Sequence, residues 1–290
     1  MKISLEWIME IVTGAVLFGI IFLSMYMEAV PAGSGAMEAY EEVEQNAVGP
    51  GNAEGGTVKE QDGEGQEEYD YNKQKAWTQE DMARRLQDGE HLIRDFKVIR
   101  QEPELPTGCE ITSLTMVLNY YGLDVDKVTM AEKYLPTVPA EFYFDQNGDL
   151  HGADLERYFV GDPATEKGYI CGPEAIKAAA DRYLSSIHST LRAEDKTGAS
   201  VCEVYQWVSE DMPVVVWVTI DMEERTVIEG WYTESGGYVE WGSNDHGAVL
   251  IGYTPDKVIV ADPIAGKAVY SRESFEEVFR SRGNKCIIVK

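Results

Sequence analysis

The stretch from Gln101 to Gly122 constrains the fold of this chain more than any other. Leu105 precedes Pro106, and a residue before proline is kept away from helical backbone angles, so the entry should be extended. Gly122 is a typical helix end. Between them the apolar residues recur at helical spacing, at Ile111, Leu114, Val117, Leu118 and Tyr121. The stretch therefore predicts an amphipathic helix with Cys109 on its first turn.

Cys109 has two interpretations at this position. The first turn of a helix presents unpaired N–H groups and the positive end of the helix dipole, and both favour a thiolate. A free cysteine is also among the most frequently buried residues, and a thiol can simply pack beneath the helix. The stretch alone leaves a reactive cysteine and a packing cysteine both open.

The net charge argues against one class of partner. The chain has 290 residues and a net charge of -26. A phosphate backbone would be repelled by this charge, and an anionic membrane surface would be repelled equally. We therefore expect no nucleic-acid partner.

The cysteines and the oxygen-rich turns do not indicate a metal or an organic cofactor. Cys109, Cys171, Cys202 and Cys286 lack the C-x-x-C spacing of zinc and redox sites. One disulfide among the last three stays open if that part of the chain is extracytoplasmic. The turn containing Asp145, Asn147 and Asp149 lacks the loop pattern of a calcium site.

Residues 1–30 are predicted to form a transmembrane anchor. The run from Ile11 to Met27 carries no charge, and with the apolar residues before it this run approaches the roughly 20 residues that cross a bilayer. Lys2 lies before the run and Glu28 after it, so the positive-inside rule places the rest of the chain outside the cytoplasm. A cleaved signal peptide is the alternative, since small residues such as Ala32 follow.

Residues 31–90 are predicted to be an acidic linker. Glycines alternate here with Glu and Asp, and large aliphatic side chains are almost absent as far as residue 75. Such a segment cannot bury enough apolar surface to offset its chain entropy, so disorder is expected. A short helix from Trp77 to Leu92 is indicated by Thr78, a suitable N-cap.

Residues 91–290 are predicted to form one α+β domain, because helical patterns come first and mostly antiparallel strand patterns follow. Helices are predicted at residues 109–121, 126–134, 172–183, 201–211 and 272–280. Strands are predicted at residues 96–100, 213–220, 238–241, 246–253, 258–261, 268–270 and 286–289, with a small hairpin at 142–149.

His246 and Asp262 are the first candidates for chemistry in the strand region. His246 begins an apolar strand, and Asp262 ends the next strand sixteen residues later. If the two strands pair as an antiparallel hairpin, these side chains become neighbours at its open end. An aspartate there would accept the Nδ1 proton and leave Nε2 facing a thiol. Asp262–Pro263 is also a common turn pair, so a purely structural aspartate stays open.

Four separated motifs resemble one peptidase family. They are Q-E-P-E-L-P-T-G-C-E-I-T-S-L-T-M-V-L-N-Y-Y-G, then F-V-G-D-P with G-Y-I-C-G-P, then N-D-H-G-A-V-L-I-G-Y, and finally A-D-P-I-A-G. In this order they resemble the double-glycine-peptidase-like proteins, family thirty-nine of the cysteine peptidases, in its stand-alone branch without a transporter. The resemblance covers the chain from Phe96 to the C-terminus.

The resemblance implies a papain-like fold and a role for each of four residues. Cys109 would be the nucleophile on the N-terminal helix, His246 the general base and then acid, and Asp262 the residue that orients the imidazole. Gln101 would offer its side-chain amide to the oxyanion hole, beside the backbone N–H of Cys109. A thiolate paired with an imidazolium at a helix N-terminus can have its pKa lowered to roughly 3–7.

The function expected from the sequence is that of a membrane-tethered cysteine peptidase with its catalytic domain outside the cytoplasm, acting on a peptide or protein substrate. A related acyl-transfer enzyme, an amidase or transpeptidase on cell-wall peptides, would use the same thiol chemistry. A non-catalytic binding module of the same fold is the third hypothesis.

Overall fold

The computed structural model describes residues 89–290. The predicted anchor at residues 1–30 lies outside the described residues, as does the linker at 31–90 apart from its last two residues. Within residues 89–290, no helix has the length and apolar character needed to cross a membrane. The boundary of the domain at residue 91 stays a prediction.

Helices precede most of the strands along the described part of the chain. The α-helices are α1 (Cys109–Tyr120), α2 (Lys127–Lys133), α3 (Pro173–Ser186), α4 (Val201–Ser209) and α5 (Arg272–Ser281). The longer strands are β7 (Val214–Thr219), β8 (Val227–Tyr232), β9 (Tyr238–Gly242), β10 (Asp245–Tyr253), β11 (Lys257–Asp262), β12 (Gly266–Ser271) and β13 (Cys286–Val289). The short strands are β1 (His91–Leu92), β2 (Thr137–Val138), β3 (Tyr143–Phe144), β4 (Leu150–His151), β5 (Phe159–Val160) and β6 (Ala193–Asp195).

A seven-stranded antiparallel sheet forms the centre of the described fold. Its order is β12-β11-β10-β7-β13-β6, and β1 pairs with the end of β10. Every residue of β7 is buried, as is every residue of β10 after Asp245, so both faces of these strands are covered. The α+β expectation is confirmed, with α1 and α4 packed on β10 and α5 packed on β7 and β11.

Two smaller sheets complete the fold. Strands β2 and β5 pair in parallel, and β3, β4, β8 and β9 form a four-stranded sheet. The predicted hairpin at 142–149 corresponds to β3 and β4, which pair antiparallel. The Asp145 carboxylate closes the turn between them by accepting hydrogen bonds from the backbone N–H groups of Asn147 and Asp149.

Helix α1 is surrounded rather than amphipathic. All ten residues from Cys109 to Leu118 are buried. Two of the small polar side chains among them bond within the interior: the Ser113 hydroxyl donates to the Gly247 carbonyl at 3.1 Å, and the Thr115 hydroxyl donates to the Ile111 carbonyl at 2.7 Å. The Ser113 bond ties α1 to β10, whereas the Thr115 bond stays within the helix.

The strand predicted at residues 96–100 is wrong, because these residues form no strand. Of the helix predicted from Trp77 to Leu92, residues 77–88 lie outside the described residues, and its last two residues form β1 instead. The absence of a strand at residues 96–100 follows from the pairing of β10. Strand β1 pairs with β10 at Tyr253 and Gly252, and β7 pairs with the same edge from Leu250 back to Asp245. The chain after Ile93 therefore finds no free strand edge to extend.

Candidate active site

The four predicted site residues lie in the region where the start of α1 meets the sheet. Gln101, Cys109, His246 and Asp262 are 3%, 7%, 1% and 3% exposed. Cys109 begins α1, His246 follows the first residue of β10, and Asp262 ends β11. The Gln101 N–H donates to the carbonyl of Pro263 at 2.9 Å, which ties the loop before α1 to the end of β11.

His246 and Asp262 form a direct pair on the sheet. Strands β10 and β11 pair antiparallel with an irregularity between Leu250 and Gly252. The Nε2 atom of His246 lies 3.0 Å from Oδ2 of Asp262. The expectation that Nδ1 would face the aspartate is therefore wrong: Nε2 holds this bond, and Nδ1 is the nitrogen left for another partner.

The carboxylate of Asp262 is held in its charged form. Its Oδ1 atom accepts hydrogen bonds from the N–H groups of Ile264 and Ala265, at 2.6 and 2.9 Å. Burial acts to raise the pKa of Asp262, but the bond to His246 and these N–H groups outweigh it, and the net pKa lies below its usual value. Because an ionised carboxylate only accepts, Nε2 carries the ring proton and Nδ1 is a free base in the neutral ring.

The thiol of Cys109 is hydrogen-bonded on two sides. Its S–H group donates to Oε2 of Glu110 at 3.3 Å, and the Gly247 N–H donates to Sγ at 3.4 Å. Within residues 89–290, no hydrogen bond joins Sγ to His246. Sγ therefore contacts α1 through Glu110 and β10 through Gly247, the residue directly after His246.

The protonation state of Cys109 differs from the expectation. Burial raises the pKa of this thiol well above its usual value, and the neighbouring Glu110 carboxyl raises it further, against the opposing effect of the Gly247 N–H. The expected thiolate with a lowered pKa is therefore not the state of this structure. A helix N-terminus favours a thiolate only if burial and nearby negative charge do not outweigh it.

The side-chain amide of Gln101 is held by the loop that leads into α1. Its Nε2 atom donates one hydrogen bond to the Pro106 carbonyl at 2.6 Å, which fixes the amide orientation. A primary amide has two N–H donors, so one is left for a further acceptor. The N–H of Cys109, at the first position of α1, has no acceptor within its own helix.

Glu110 is a further candidate residue of the site, and neither the motifs nor the residue spacing indicated it. It is fully buried, and its two oxygens bond to the Cys109 thiol and the Cys171 N–H. One feature of the sequence could have predicted its burial. Glu110 carries the only charge in α1, and the residues around it are apolar or small and polar. A helix without a polar face is surrounded on all sides, so a single charge within it must be buried.

The remaining cysteines do not form a disulfide. Cys171, Cys202 and Cys286 are free thiols, like Cys109. Cys171 contributes its backbone to the site, because its N–H bonds Glu110 and its carbonyl accepts from Nε1 of Trp217 at 2.7 Å. Across the described part of the chain, acidic, His and Cys side chains form no cluster that could hold a metal ion.

Comparisons with known proteins agree on one family. The model of a family described as "Peptidase_C39 like family" matches residues 93–287. The YvpB protein of Bacillus subtilis strain 168 is 32% identical over 189 residues, which cover 65% of this chain and 71% of that protein. The crystal structure of a candidate C39-like peptidase from Bacillus anthracis is 30% identical, covers 70% of this chain and 98% of its own, and superposes with a TM-score of 0.61.

Proposed function

This chain belongs to the Peptidase_C39-like family, and from that premise we propose that it is a cysteine peptidase whose nucleophile is Cys109. The observation that carries the proposal is the position of this thiol. Its Sγ accepts a hydrogen bond from Gly247, the residue after His246, and His246 in turn bonds Asp262 at 3.0 Å. The thiol therefore bonds the residue next to the proposed base, and Asp262 bonds that base itself, so the residue types needed for a nucleophile, a base and an orienting carboxylate are present at one place in the fold.

In the attack, the thiol proton passes to Nδ1 of His246 as the sulfur–carbon bond forms. The S–H bond breaks, the sulfur electron pair forms a bond to the carbonyl carbon of the substrate, and the carbonyl oxygen takes the negative charge. Asp262 keeps the ring oriented through Nε2 and stabilises the imidazolium that forms. Sγ has to exchange its bond to Glu110 for a contact with His246 in this step.

The oxyanion is proposed to be stabilised by Gln101 and the N–H of Cys109. The amide of Gln101 is fixed by Pro106, and preorganised donors of this kind are worth about 10²–10³ in rate each. The oxyanion then re-forms the carbonyl of a thioester while the imidazolium gives its proton to the leaving amine, whose bond to carbon breaks. Water hydrolyses the thioester, with His246 taking the proton of the water and returning it to sulfur.

A test compares turnover by the full-length protein and two cysteine variants. Wild type, Cys109→Ala and the control Cys202→Ala are incubated with a peptide library and with cell-wall peptide fragments. We expect peptide cleavage by wild type and Cys202→Ala and none by Cys109→Ala. Wild-type turnover by Cys109→Ala contradicts the proposal. Turnover of cell-wall fragments alone identifies a related amidase or transpeptidase, and no turnover of either supports a binding module.

We also propose that the peptidase acts outside the cytoplasm while anchored by residues 1–30. The support is the charge-free run from Ile11 to Met27, with Lys2 before it. In intact cells, externally added protease should digest the domain, which should pellet with membranes. Recovery in the soluble fraction of lysed cells, with protection from external protease, contradicts this location. Release into the medium indicates a cleaved signal peptide.

A further inference from the structure

We propose that Glu110 controls the protonation of the nucleophile: its carboxyl holds Cys109 as a neutral thiol in the resting enzyme and disfavours the thiolate. This inference rests on the proposed function of Cys109. It assigns a role to a residue of the first helical turn that the Cys–His–Asp–Gln set does not include.

The carboxyl of Glu110 is fixed in its position by contacts on both oxygens. Oε2 accepts the Cys109 thiol at 3.3 Å, and Oε1 accepts the Cys171 N–H at 3.0 Å. The backbone of Cys171 is itself held, because its carbonyl accepts from the Trp217 indole at 2.7 Å. The carboxyl therefore cannot turn away from the sulfur without losing a buried hydrogen bond.

The packing of β10 also fixes Glu110. A Cβ added at Gly247 would lie 2.8 Å from Cγ of Glu110 and 2.9 Å from its Cα, closer than side chains pack. Gly247 therefore permits the close approach that brings its own N–H to Sγ at 3.4 Å. The sulfur lies between a carboxyl oxygen from α1 and a backbone donor from β10.

The charges around Glu110 leave it without an ion pair. The titratable groups that interact with it electrostatically are Cys109 on its own helix, Cys171 before α3, His246 on β10 and Arg282 after α5. Within residues 89–290, none of these forms a salt bridge with it. Burial raises the pKa of Glu110 to about 7, although the N–H of Cys171 acts to lower it.

This arrangement has a consequence for the reaction. If Glu110 is ionised, a thiolate on Cys109 would be a second negative charge buried beside it, and Asp262 would be a third nearby. The resting enzyme therefore avoids a preformed thiolate. The proton leaves sulfur only as the sulfur–carbon bond forms, and it passes to Nδ1 of His246 while Glu110 keeps its own protonation state.

Alkylation of Cys109 tests this inference without any substrate. Mass spectrometry follows the rate of iodoacetamide labelling at Cys109 from pH 5 to pH 10 in the full-length protein. The variants are Glu110→Gln, Glu110→Asp and, as a matched control, Glu132→Gln, which removes an exposed carboxyl on α2. In Glu110→Gln the amide oxygen can still accept from Cys171, and the amide N–H can donate to sulfur.

We expect the wild-type thiol to titrate above its usual value. Glu110→Gln should lower its apparent pKa by at least about one unit and raise labelling at pH 7 by roughly tenfold. Glu110→Asp retains the charge and should keep a high thiol pKa, and Glu132→Gln should match wild type.

Three results would overturn the inference. One is an unchanged labelling profile in a folded Glu110→Gln protein. Another is an equal shift in the Gln and Asp variants, which would indicate a packing role. The third is a wild-type Cys109 thiol that titrates below pH 7. This result can be obtained even if Glu110→Gln fails to fold. Hydrolysis that still depends on Cys109 would then leave the proposed function standing without a role for Glu110.

Discussion

Two buried carboxyl groups flank the proposed nucleophile and base, and they differ in what surrounds them. Asp262, on the sheet side, accepts two backbone N–H bonds and the His246 ring, and its pKa is lowered. Glu110, on the helix side, accepts one backbone N–H and a thiol, and burial raises its pKa to about 7. The same chemical group is thus a fixed charge on the sheet and a titrating group on the helix.

The difference is set by the balance between burial, which raises the pKa of both carboxyl groups, and their partners, of which the His246 ring bonds Asp262 directly. Both residues are almost completely buried, at 3% exposure for Asp262 and 0% for Glu110. A carboxylate that receives several N–H bonds stays charged in the interior, whereas one with few donors binds a proton more readily. These states agree with the roles proposed for Asp262, which orients an imidazole, and for Glu110, which controls a thiol.

Removing the fixed charge should have the largest effect. Asp262→Asn keeps the shape of the side chain but cannot hold the same ring tautomer, and we expect kcat for peptide cleavage to fall by about 10³–10⁴. The control is Asp256→Asn, in the exposed turn at the far end of the same hairpin. If the activity of Asp262→Asn lies within about threefold of wild type, Asp262 does not orient His246 for the reaction.

Removing a donor of the proposed oxyanion hole should have the next largest effect. Gln101→Ala should lower kcat by about 10²–10³ with little change in KM, because the lost interaction forms only in the transition state. Gln206→Ala, on α4 with its amide bonded to Glu210, is the matched control and should match wild type. A change confined to KM would mean that Gln101 binds substrate rather than the oxyanion.

Titration of Glu110 should make the unfolding free energy of the protein depend on pH. The pKa of Glu110 is raised on folding, from 4.5 to about 7, so the folded state binds the extra proton in this window. The contribution of Glu110 to the free energy of unfolding is therefore largest below pH 4.5 and is lost as the pH rises through about 7. The unfolding free energy should fall by up to roughly 3 kcal/mol over this range.

Urea unfolding at pH 5 and pH 8 measures this effect. The loss of unfolding free energy between the two values should be clearly smaller in Glu110→Gln than in wild type, because the variant lacks the titrating group. Equal losses in the two proteins would mean that Glu110 keeps an ordinary pKa, and the contrast with Asp262 would then fail.

Crowding the contact between helix and sheet should have the smallest effect. Gly247→Ala places a methyl group within 3 Å of Glu110, and we expect a loss of about 1–3 kcal/mol in unfolding free energy. Gly237→Ala is the control, since its nearest neighbour would lie at 3.4 Å. An undiminished stability in Gly247→Ala would show that α1 can move away from β10.

The sequence predicted the parts of the site that depend on order and register. Two strands joined by a short turn bring His246 and Asp262 together, and periodicity with a proline-rich entry places Cys109 on the first turn of a helix. The family resemblance is confirmed by the match over residues 93–287. The positions of Cys109, His246 and Asp262 depend on residue spacing along the chain, which can be read from one sequence.

The orientation and charge of the side chains could not be predicted in the same way. Which nitrogen of His246 faces Asp262 depends on the ring angle at the start of β10, and spacing along a strand does not determine it. The thiol pKa depends on burial by elements far away in sequence, and on Cys171 and Gly247 beside Glu110 and the sulfur. The absent strand at 96–100 has a similar cause, since β7 pairs along the edge of β10 that it would need.

Mass spectrometry of the acid-quenched reaction can identify the residue that attacks the substrate. Full-length protein is mixed with a peptide that it cleaves, stopped within one turnover, and digested for analysis of all four cysteines. We expect a substrate acyl group on Cys109 as a thioester, and none on Cys171, Cys202 or Cys286. Cleavage with the acyl group on another cysteine would contradict the assignment of Cys109 as the nucleophile.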